Sequence, residues 1–107
     1  MTTFQHLDIP TLAGWLDERR ELALVDIRDP QSFAQGHIPG SRRLDNDTVG
    51  AFIEEASRES ALVVVCYHGH SSQQAADWLA GQGFAEVYSL DGGFIDWQLR
   101  HPARVEP

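Results

Sequence analysis

Leu62-Val63-Val64-Val65-Cys66 is the most hydrophobic segment of the chain, and the polar run Tyr67-His68-Gly69-His70-Ser71-Ser72 follows it directly. The valines are β-branched and do not alternate with polar residues, which predicts a central strand of a parallel sheet covered on both faces. The polar run predicts a loop, and Ser72 to Ala80 predicts a helix that stops at Gly81. Cys66 is therefore expected at the carboxyl end of a buried strand, where open α/β sheets bind their ligands.

The flanking segments alternate between helix and strand patterns. Capping aspartates precede prolines at Asp8 and Asp29, and Thr48 is expected to cap a third helix. In chain order the patterns predict a helix from about Ile9 to Arg19, a strand from Leu22 to Ile27, a short helix through Phe33 that stops at Gly36, a strand near Arg42 to Leu44, a helix carrying Val49, Phe52, Ile53 and Ala56, a strand from Glu86 to Leu90 and a helix from Phe94 to Leu99. This order predicts an α/β fold with a central, mostly parallel sheet and helices on both faces.

The length of 107 residues suits a single domain. We expect its core to span about residues 8–100 and the tail 101–107 to carry no regular structure. Trp78 and Trp97 are interpreted as core residues. No apolar stretch approaches the roughly 20 residues that a membrane helix needs, and the first residues have no pattern of a secretory leader. We therefore expect a cytoplasmic protein without a membrane anchor.

Charge and composition exclude several functions. The formal net charge is −8, and the positive residues are scattered, so a nucleic-acid partner is not expected. All eight positive residues are Arg, which excludes Schiff-base chemistry, a lysine base and the lysine of a phosphate-binding P-loop. The single cysteine, Cys66, cannot form an intrachain disulfide.

The surroundings predicted for Cys66 favour a thiolate. Successive backbone N–H groups of the loop can form a concave anion site, and the positive end of the next helix points to the same place. Both effects lower the pKa of a thiol and produce a nucleophile. Three other interpretations remain: a buried structural cysteine, a metal site of Cys66, His68 and His70, and a Cys/His protease pair. No second cluster supplies a fourth metal ligand, and we predict no metal.

Two further groups are interpreted as structural. Arg28, in Asp26-Ile27-Arg28-Asp29, is expected to form an internal ion pair at a strand end, and Gly92 and Gly93 are expected to meet backbone requirements. His37, in Gly36-His37-Ile38-Pro39-Gly40, is expected to be a packing or turn residue and not a base.

Three motifs together resemble the rhodanese family. The runs Leu24 to Phe33 and Gly36 to Ser41 resemble its amino-terminal signature, and Val87 to Trp97 is similar to its carboxyl-terminal signature. Cys66 falls between them, where the family places its sulfur-carrying cysteine. The resemblance covers about residues 8–100, and three motifs in the right order are far more specific than one.

The resemblance implies a single rhodanese domain that is a thiosulfate sulfurtransferase. Cys66 would carry the sulfane sulfur of thiosulfate as a persulfide to a thiophilic acceptor, which is cyanide in vitro or a dithiol protein such as thioredoxin. Sulfite would be released, and no cofactor would be needed. The residues expected to bind the substrate are those of the loop: Tyr67, His68, Gly69, His70, Ser71 and Ser72. The pathway, the physiological donor and acceptor, and the oligomeric state are left open.

Two departures from related patterns bear on this implication. Many rhodaneses carry Arg in the loop, whereas here none occurs between positions 66 and 72. Anion binding would then depend on N–H groups, hydroxyls and the helix terminus. Phosphatases of the same fold need an arginine at the position of Ser72 to clamp phosphate. A Cys-dependent phosphatase and a non-catalytic rhodanese-like binding module remain as alternatives.

Overall fold

The computed structural model describes residues 3–107. Within this range five parallel strands form one sheet in the order β1-β5-β4-β2-β3. The bounds along the chain are β1 Gln5–Leu7, α1 Ile9–Asp17, β2 Leu22–Asp26, α2 Pro30–Gln35, β3 Arg42–Arg43, α3 Val49–Glu55, β4 Ala61–Val65, α4 Ser71–Ala80, β5 Val87–Leu90 and α5 Gly93–Arg100, followed by a 3₁₀ turn at Pro102–Arg104. The α/β fold class is confirmed, and the sheet is parallel throughout the described residues.

Strand β4 occupies the centre because every one of its residues is apolar and buried. Its alternate side chains enter two separate cores, with Val63 and Val65 on one face and Leu62 and Val64 on the other. Residues of α1 and α5 cover the first face, and residues of α3 and α4 cover the second. This two-sided burial explains why the strand does not alternate with polar residues. Trp97 is fully buried in the first core, as predicted.

Several local predictions were wrong or incomplete. Strand β1 was missed because a three-residue edge strand has too little pattern to detect. Thr48 makes no side-chain cap bond to α3; instead, the Asp45 carboxylate accepts from the Thr48 N–H at 3.0 Å. The tail is not structureless, since Glu106 pairs with His37 in an antiparallel bridge. Capping by Asp8 and Asp29 is confirmed by 2.8 Å bonds to N–H groups of α1 and α2.

In the part of the chain that the structure describes, no helix is long and apolar enough to cross a bilayer.

Candidate active site

Cys66 follows β4 directly and is buried. The first turn of α5 binds the loop from behind: the Phe94 N–H donates to the Cys66 carbonyl at 2.8 Å, and the Ile95 N–H donates to the Tyr67 carbonyl at 3.0 Å. These bonds satisfy donors that a helix leaves free at its amino end. They also hold the Cys66 and Tyr67 carbonyls against the start of α5.

Three hydrogen bonds converge on Sγ of Cys66. The Gly69 N–H donates to it at 3.1 Å and the Ser72 N–H at 3.3 Å, while Ser72 Oγ lies 3.2 Å away. Ser72 is the second residue of α4, and His70 before the helix makes no side-chain cap bond. Sγ therefore takes the place of the capping acceptor, where the positive end of the helix dipole favours a negative charge.

Opposing effects act on the pKa of Cys66. Burial, which disfavours the charged thiolate, is the largest single influence and raises the pKa. Hydrogen bonds from the Ser72 hydroxyl and from the N–H groups of Ser72, Gly69 and His68 favour the thiolate. Together they outweigh burial and hold the pKa of Cys66 below its ordinary value. The hydrogen-bond donors of the loop and of α4 thus stabilise an anionic sulfur.

The close approach of the loop and the start of α5 requires glycine at two positions, one in the loop and one in the helix. Gly69 has φ +89°, and a Cβ there would lie 2.9 Å from the Gly92 nitrogen. Gly93 has φ +62°, and a Cβ there would lie 2.4 Å from the Tyr67 carbonyl oxygen. Both distances are below any normal contact, and both φ values disfavour side chains. The loop after β4 is therefore shaped against the turn between β5 and α5.

Tyr67 ties the loop to α2. Its hydroxyl donates to the Asp29 carboxylate and lies 3.0 Å from Ser32 Oγ. Asp29 also caps α2, and the Tyr67 hydroxyl is the main cause that lowers the pKa of Asp29 to about 2. One carboxylate therefore holds a helix and the loop together.

Arg28 has a structural role. Its guanidinium pairs with buried Asp26 at 2.8 Å, donates to the Gly36 carbonyl at 2.8 Å and packs over the Phe94 ring at 4.1 Å. Both charged side chains are almost fully buried, so the guanidinium is committed to the interior. This supports the structural interpretation, and it leaves Arg28 unable to replace the arginine that the loop lacks.

The remaining loop residues lie on the surface. His68, His70 and Ser71 are exposed, whereas Gly69 and Ser72 are buried beside the sulfur. Among the described residues, no three His, Cys, Asp or Glu side chains gather as ligands of a metal ion, so the alternation of Cys66, His68 and His70 is lost when the loop curls.

His37 is a packing residue, as predicted. Its ring stacks on Phe33 with centroids 3.8 Å apart, and its Nδ1 lies 2.9 Å from the Phe33 carbonyl oxygen.

Ser89 is a further residue of the site, and the sequence pattern did not predict it. Its hydroxyl oxygen lies 2.7 Å from Ser72 Oγ, and both serines are fully buried. The available signal was a single small polar residue within the apolar strand Val87-Tyr88-Ser89-Leu90. Such a residue needs a hydrogen-bond partner once it is buried.

An apolar cavity of about 640 Å³ adjoins the loop at Ser71. It lies between α4 and the segment from β3 to α3, with Leu44, Val49 and Ala75 among its walls. Trp78 also lines it and is 51% exposed, so its assignment to the core was wrong. The helical spacing of Trp78 placed it near the apolar face of α4, but the cavity leaves half of its side chain without cover.

Comparison with known proteins gives a family and close relatives. Residues 10–100 match the family described as Rhodanese-like domain. A protein of Pseudomonas aeruginosa (strain LESB58) named thiosulfate sulfurtransferase GlpE is 61% identical over 101 residues, which cover 94% of this chain and 90% of that protein. A protein of the same name from Pseudomonas putida (strain F1) is 50% identical over 105 residues, which cover 98% of this chain and 94% of the relative.

Solved structures share the fold. The NMR structure of the rhodanese-like domain from an Anabaena species superposes with a TM-score of 0.82 at 23% identity, covering 94% of this chain and 77% of that one. The reduced CoADR-RHD protein of Bacillus anthracis gives 0.81 at 24% identity, covering 97% of this chain and 18% of the larger one.

Proposed function

This chain belongs to the family of rhodanese-like domains, and on that premise we propose that it is a thiosulfate sulfurtransferase with Cys66 as its sulfur carrier. Relatives at 50–62% identity bear the name thiosulfate sulfurtransferase. The observation that carries the proposal is the set of donors aimed at Sγ of Cys66, because they support the anionic sulfur that this chemistry needs. We further propose that residues 8–100 are the core of a single domain.

In the first half-reaction the Cys66 thiolate attacks the outer, sulfane sulfur of thiosulfate. A bond forms between Sγ and that sulfur, and the bond to the inner sulfur breaks. The bonding electron pair leaves with sulfite. Sulfite departs as a stable anion, so the step needs little help from a general acid, and no cofactor takes part.

In the second half-reaction a thiophilic acceptor attacks the terminal sulfur of the persulfide. The new bond joins that sulfur to the acceptor, and the electron pair of the sulfur–sulfur bond returns to Sγ as the thiolate. Cyanide serves as an acceptor in vitro, and a dithiol protein is the acceptor that we propose in the cell. Two smaller barriers thus replace one larger barrier.

Local donors must overcome an unfavourable overall charge. The net charge of −8 repels thiosulfate, but such fields decay over about 8 Å at physiological ionic strength. The N–H groups of Gly69 and Ser72 act at contact distance. Electrostatic stabilisation by preorganised donors is strong at this range because the donors do not reorient during the reaction.

The loop lacks the arginine that phosphoryl transfer on this fold needs. Ser72 stands where a phosphatase of this fold needs its arginine, and its hydroxyl is enclosed between Cys66 and Ser89. The guanidinium of Arg28 is committed to Asp26. A phosphate on the loop would therefore lack its bidentate clamp.

The mass of the intact protein after incubation with thiosulfate tests the proposal. We expect one added sulfur atom on the wild-type chain, its removal by cyanide with formation of thiocyanate, and no addition on Cys66→Ser. Ser60→Ala is the matched control, because Ser60 lies before the opposite end of β4, and it should gain the sulfur as the wild type does. A wild-type chain that gains no sulfur would overturn the proposal and favour the non-catalytic module.

A further inference from the structure

A chain of two buried hydroxyls leads away from the reactive sulfur. Sγ of Cys66 lies 3.2 Å from Ser72 Oγ, which lies 2.7 Å from Ser89 Oγ. Ser72 and Ser89 are 0% exposed. Within residues 3–107, Ser89 Oγ has no hydrogen-bond partner besides Ser72. Ser89 comes from β5 and Ser72 from α4, so the contact exists only because these elements pack together.

Cys66 Sγ, Ser72 Oγ and Ser89 Oγ form a hydrogen-bonded chain, and the number of S–H and O–H hydrogens that it can hold matches Cys66 as a thiolate and not as a thiol. The two oxygens and the sulfur make two contacts with each other. With Cys66 as a thiol, the three groups carry three hydrogens for these two contacts, and one hydrogen is left without an acceptor in the chain. With Cys66 as a thiolate, two hydrogens serve two contacts. Both then point toward the sulfur, from Ser89 to Ser72 and from Ser72 to Sγ.

The proton that balances this change passes from Sγ to solvent, and the two hydroxyls rotate without breaking a covalent bond. A buried hydroxyl that lacks a partner is costly, whereas a chain of aligned hydrogen bonds is mutually reinforcing. Ser89 therefore favours the orientation in which the Ser72 hydroxyl donates to the sulfur.

We propose that Ser89 is a positioning residue for the sulfur carrier: its hydroxyl donates to Ser72 Oγ and so commits the Ser72 hydroxyl to Sγ of Cys66. This inference rests on the proposed role of Cys66. It concerns the orientation of the Ser72 hydroxyl toward Sγ of Cys66, and Ser89 itself does not touch the substrate.

Charged groups on the neighbouring elements are engaged with each other and do not take over this role. Asp26 and Arg28, at the end of β2, form a buried ion pair. Asp91, after β5, binds His6 of β1 at 2.7 Å. The titratable groups on the loop itself are the exposed side chains of Tyr67, His68 and His70.

The test is the pH dependence of Cys66 alkylation by iodoacetamide in Ser89→Ala, Ser72→Ala and the double variant. Loss of one donor in a buried network is expected to raise the midpoint by about half a unit to one unit, a roughly threefold to tenfold fall in alkylation rate at low pH. Ser72→Ala should raise the midpoint at least as much. In the double variant the midpoint should equal that of Ser72→Ala alone, because Ser89 acts only through Ser72.

Ser89→Thr, which keeps the hydroxyl, should retain a midpoint near that of the wild type. Ser60→Ala removes a hydroxyl that bonds Glu21 before the far end of β4 and should leave the midpoint unchanged. Additive shifts in the double variant, an unshifted Ser89→Ala or a Ser89→Thr that titrates like Ser89→Ala would each overturn the proposal. If Ser89→Ala does not fold, Ser89→Val takes its place, because it matches Ser89→Thr in shape and lacks the hydroxyl. It should show the raised midpoint, and equal midpoints for Ser89→Val and Ser89→Thr would overturn the proposal.

Alkylation reports the thiolate whether or not sulfur is transferred. A shifted midpoint in a chain that gains no sulfur from thiosulfate would therefore refute the proposed function and keep the role of Ser89. An unshifted midpoint in Ser89→Ala, together with sulfur uptake by the wild type, would refute the role of Ser89 and keep the proposed function.

Discussion

Gly93→Ala tests whether the contact between α5 and the loop positions Cys66. The new Cβ would lie 2.4 Å from the Tyr67 carbonyl oxygen and 2.6 Å from that of Cys66. These are backbone atoms and cannot turn aside as the end of a side chain would. The loop or the helix must therefore move by roughly half an ångström or more, which exceeds the tolerance of a preorganised site.

The expected loss of stability has two parts. A residue with a Cβ at φ +62° costs about 1–2 kcal/mol, and overpacking a closed site costs about 1–3 kcal/mol. We expect the free energy of unfolding, measured in urea, to fall by about 2–5 kcal/mol. Sulfur transfer from thiosulfate to cyanide, per folded molecule, should fall by about tenfold to 100-fold, since a misplacement of about 1 Å can cost that much.

Gly40→Ala is the matched control. Gly40 has φ +89°, but a Cβ there would meet nothing within 4 Å. Its free energy of unfolding should fall only by the cost of a side chain at positive φ, about 1–2 kcal/mol, and its sulfur transfer should be unchanged. A Gly93→Ala variant that is no less stable than Gly40→Ala and transfers sulfur at the wild-type rate would refute the reasoning.

Three more substitutions test the site. Cys66→Ser should fold normally and lose sulfur transfer in the thiosulfate–cyanide assay, because a serine hydroxyl cannot form a persulfide; transfer at the wild-type rate would contradict the mechanism. Ser72→Arg should lose sulfur transfer without gaining hydrolysis of an aryl phosphate, because position 72 is fully buried and cannot hold a guanidinium without distorting the loop; efficient hydrolysis would show that one residue sets the reaction class. Tyr67→Phe should be less stable than the wild type above about pH 4. The Tyr67 hydroxyl lowers the pKa of Asp29 to about 2. The difference in the free energy of unfolding between the wild type and Tyr67→Phe should therefore shrink as the pH falls from about 4 to about 2. Urea unfolding across the range measures the difference, and one that stays constant with pH would contradict the assigned bond.

Local pattern was enough to predict most elements. The all-apolar run before Cys66 predicted a strand buried on both faces, and β4 has that place in the sheet. Asp8 and Asp29 predicted the starts of α1 and α2, because a capping carboxylate acts on N–H groups a few residues away. These predictions succeeded because the forces behind them act within a few residues of each other.

The predictions failed where contacts between residues far apart in the sequence determine the local structure. Strand β1 exists because it pairs with β5, more than eighty residues later. Trp78 has the helical spacing of a core residue, but its surroundings depend on how far the segment after β3 lies from α4. Periodicity shows which side of a helix is apolar and does not show how completely a neighbour covers it.

The sequence alone determined the α/β architecture and the placement of one nucleophilic cysteine between a buried strand and a helix. Only the tertiary structure decided which groups surround that sulfur. Ser89 lies 17 residues from its hydrogen-bond partner Ser72, and Tyr67 lies 38 residues from Asp29. No local propensity encodes such pairs, because they form only when the sheet brings the ends of separate strands together.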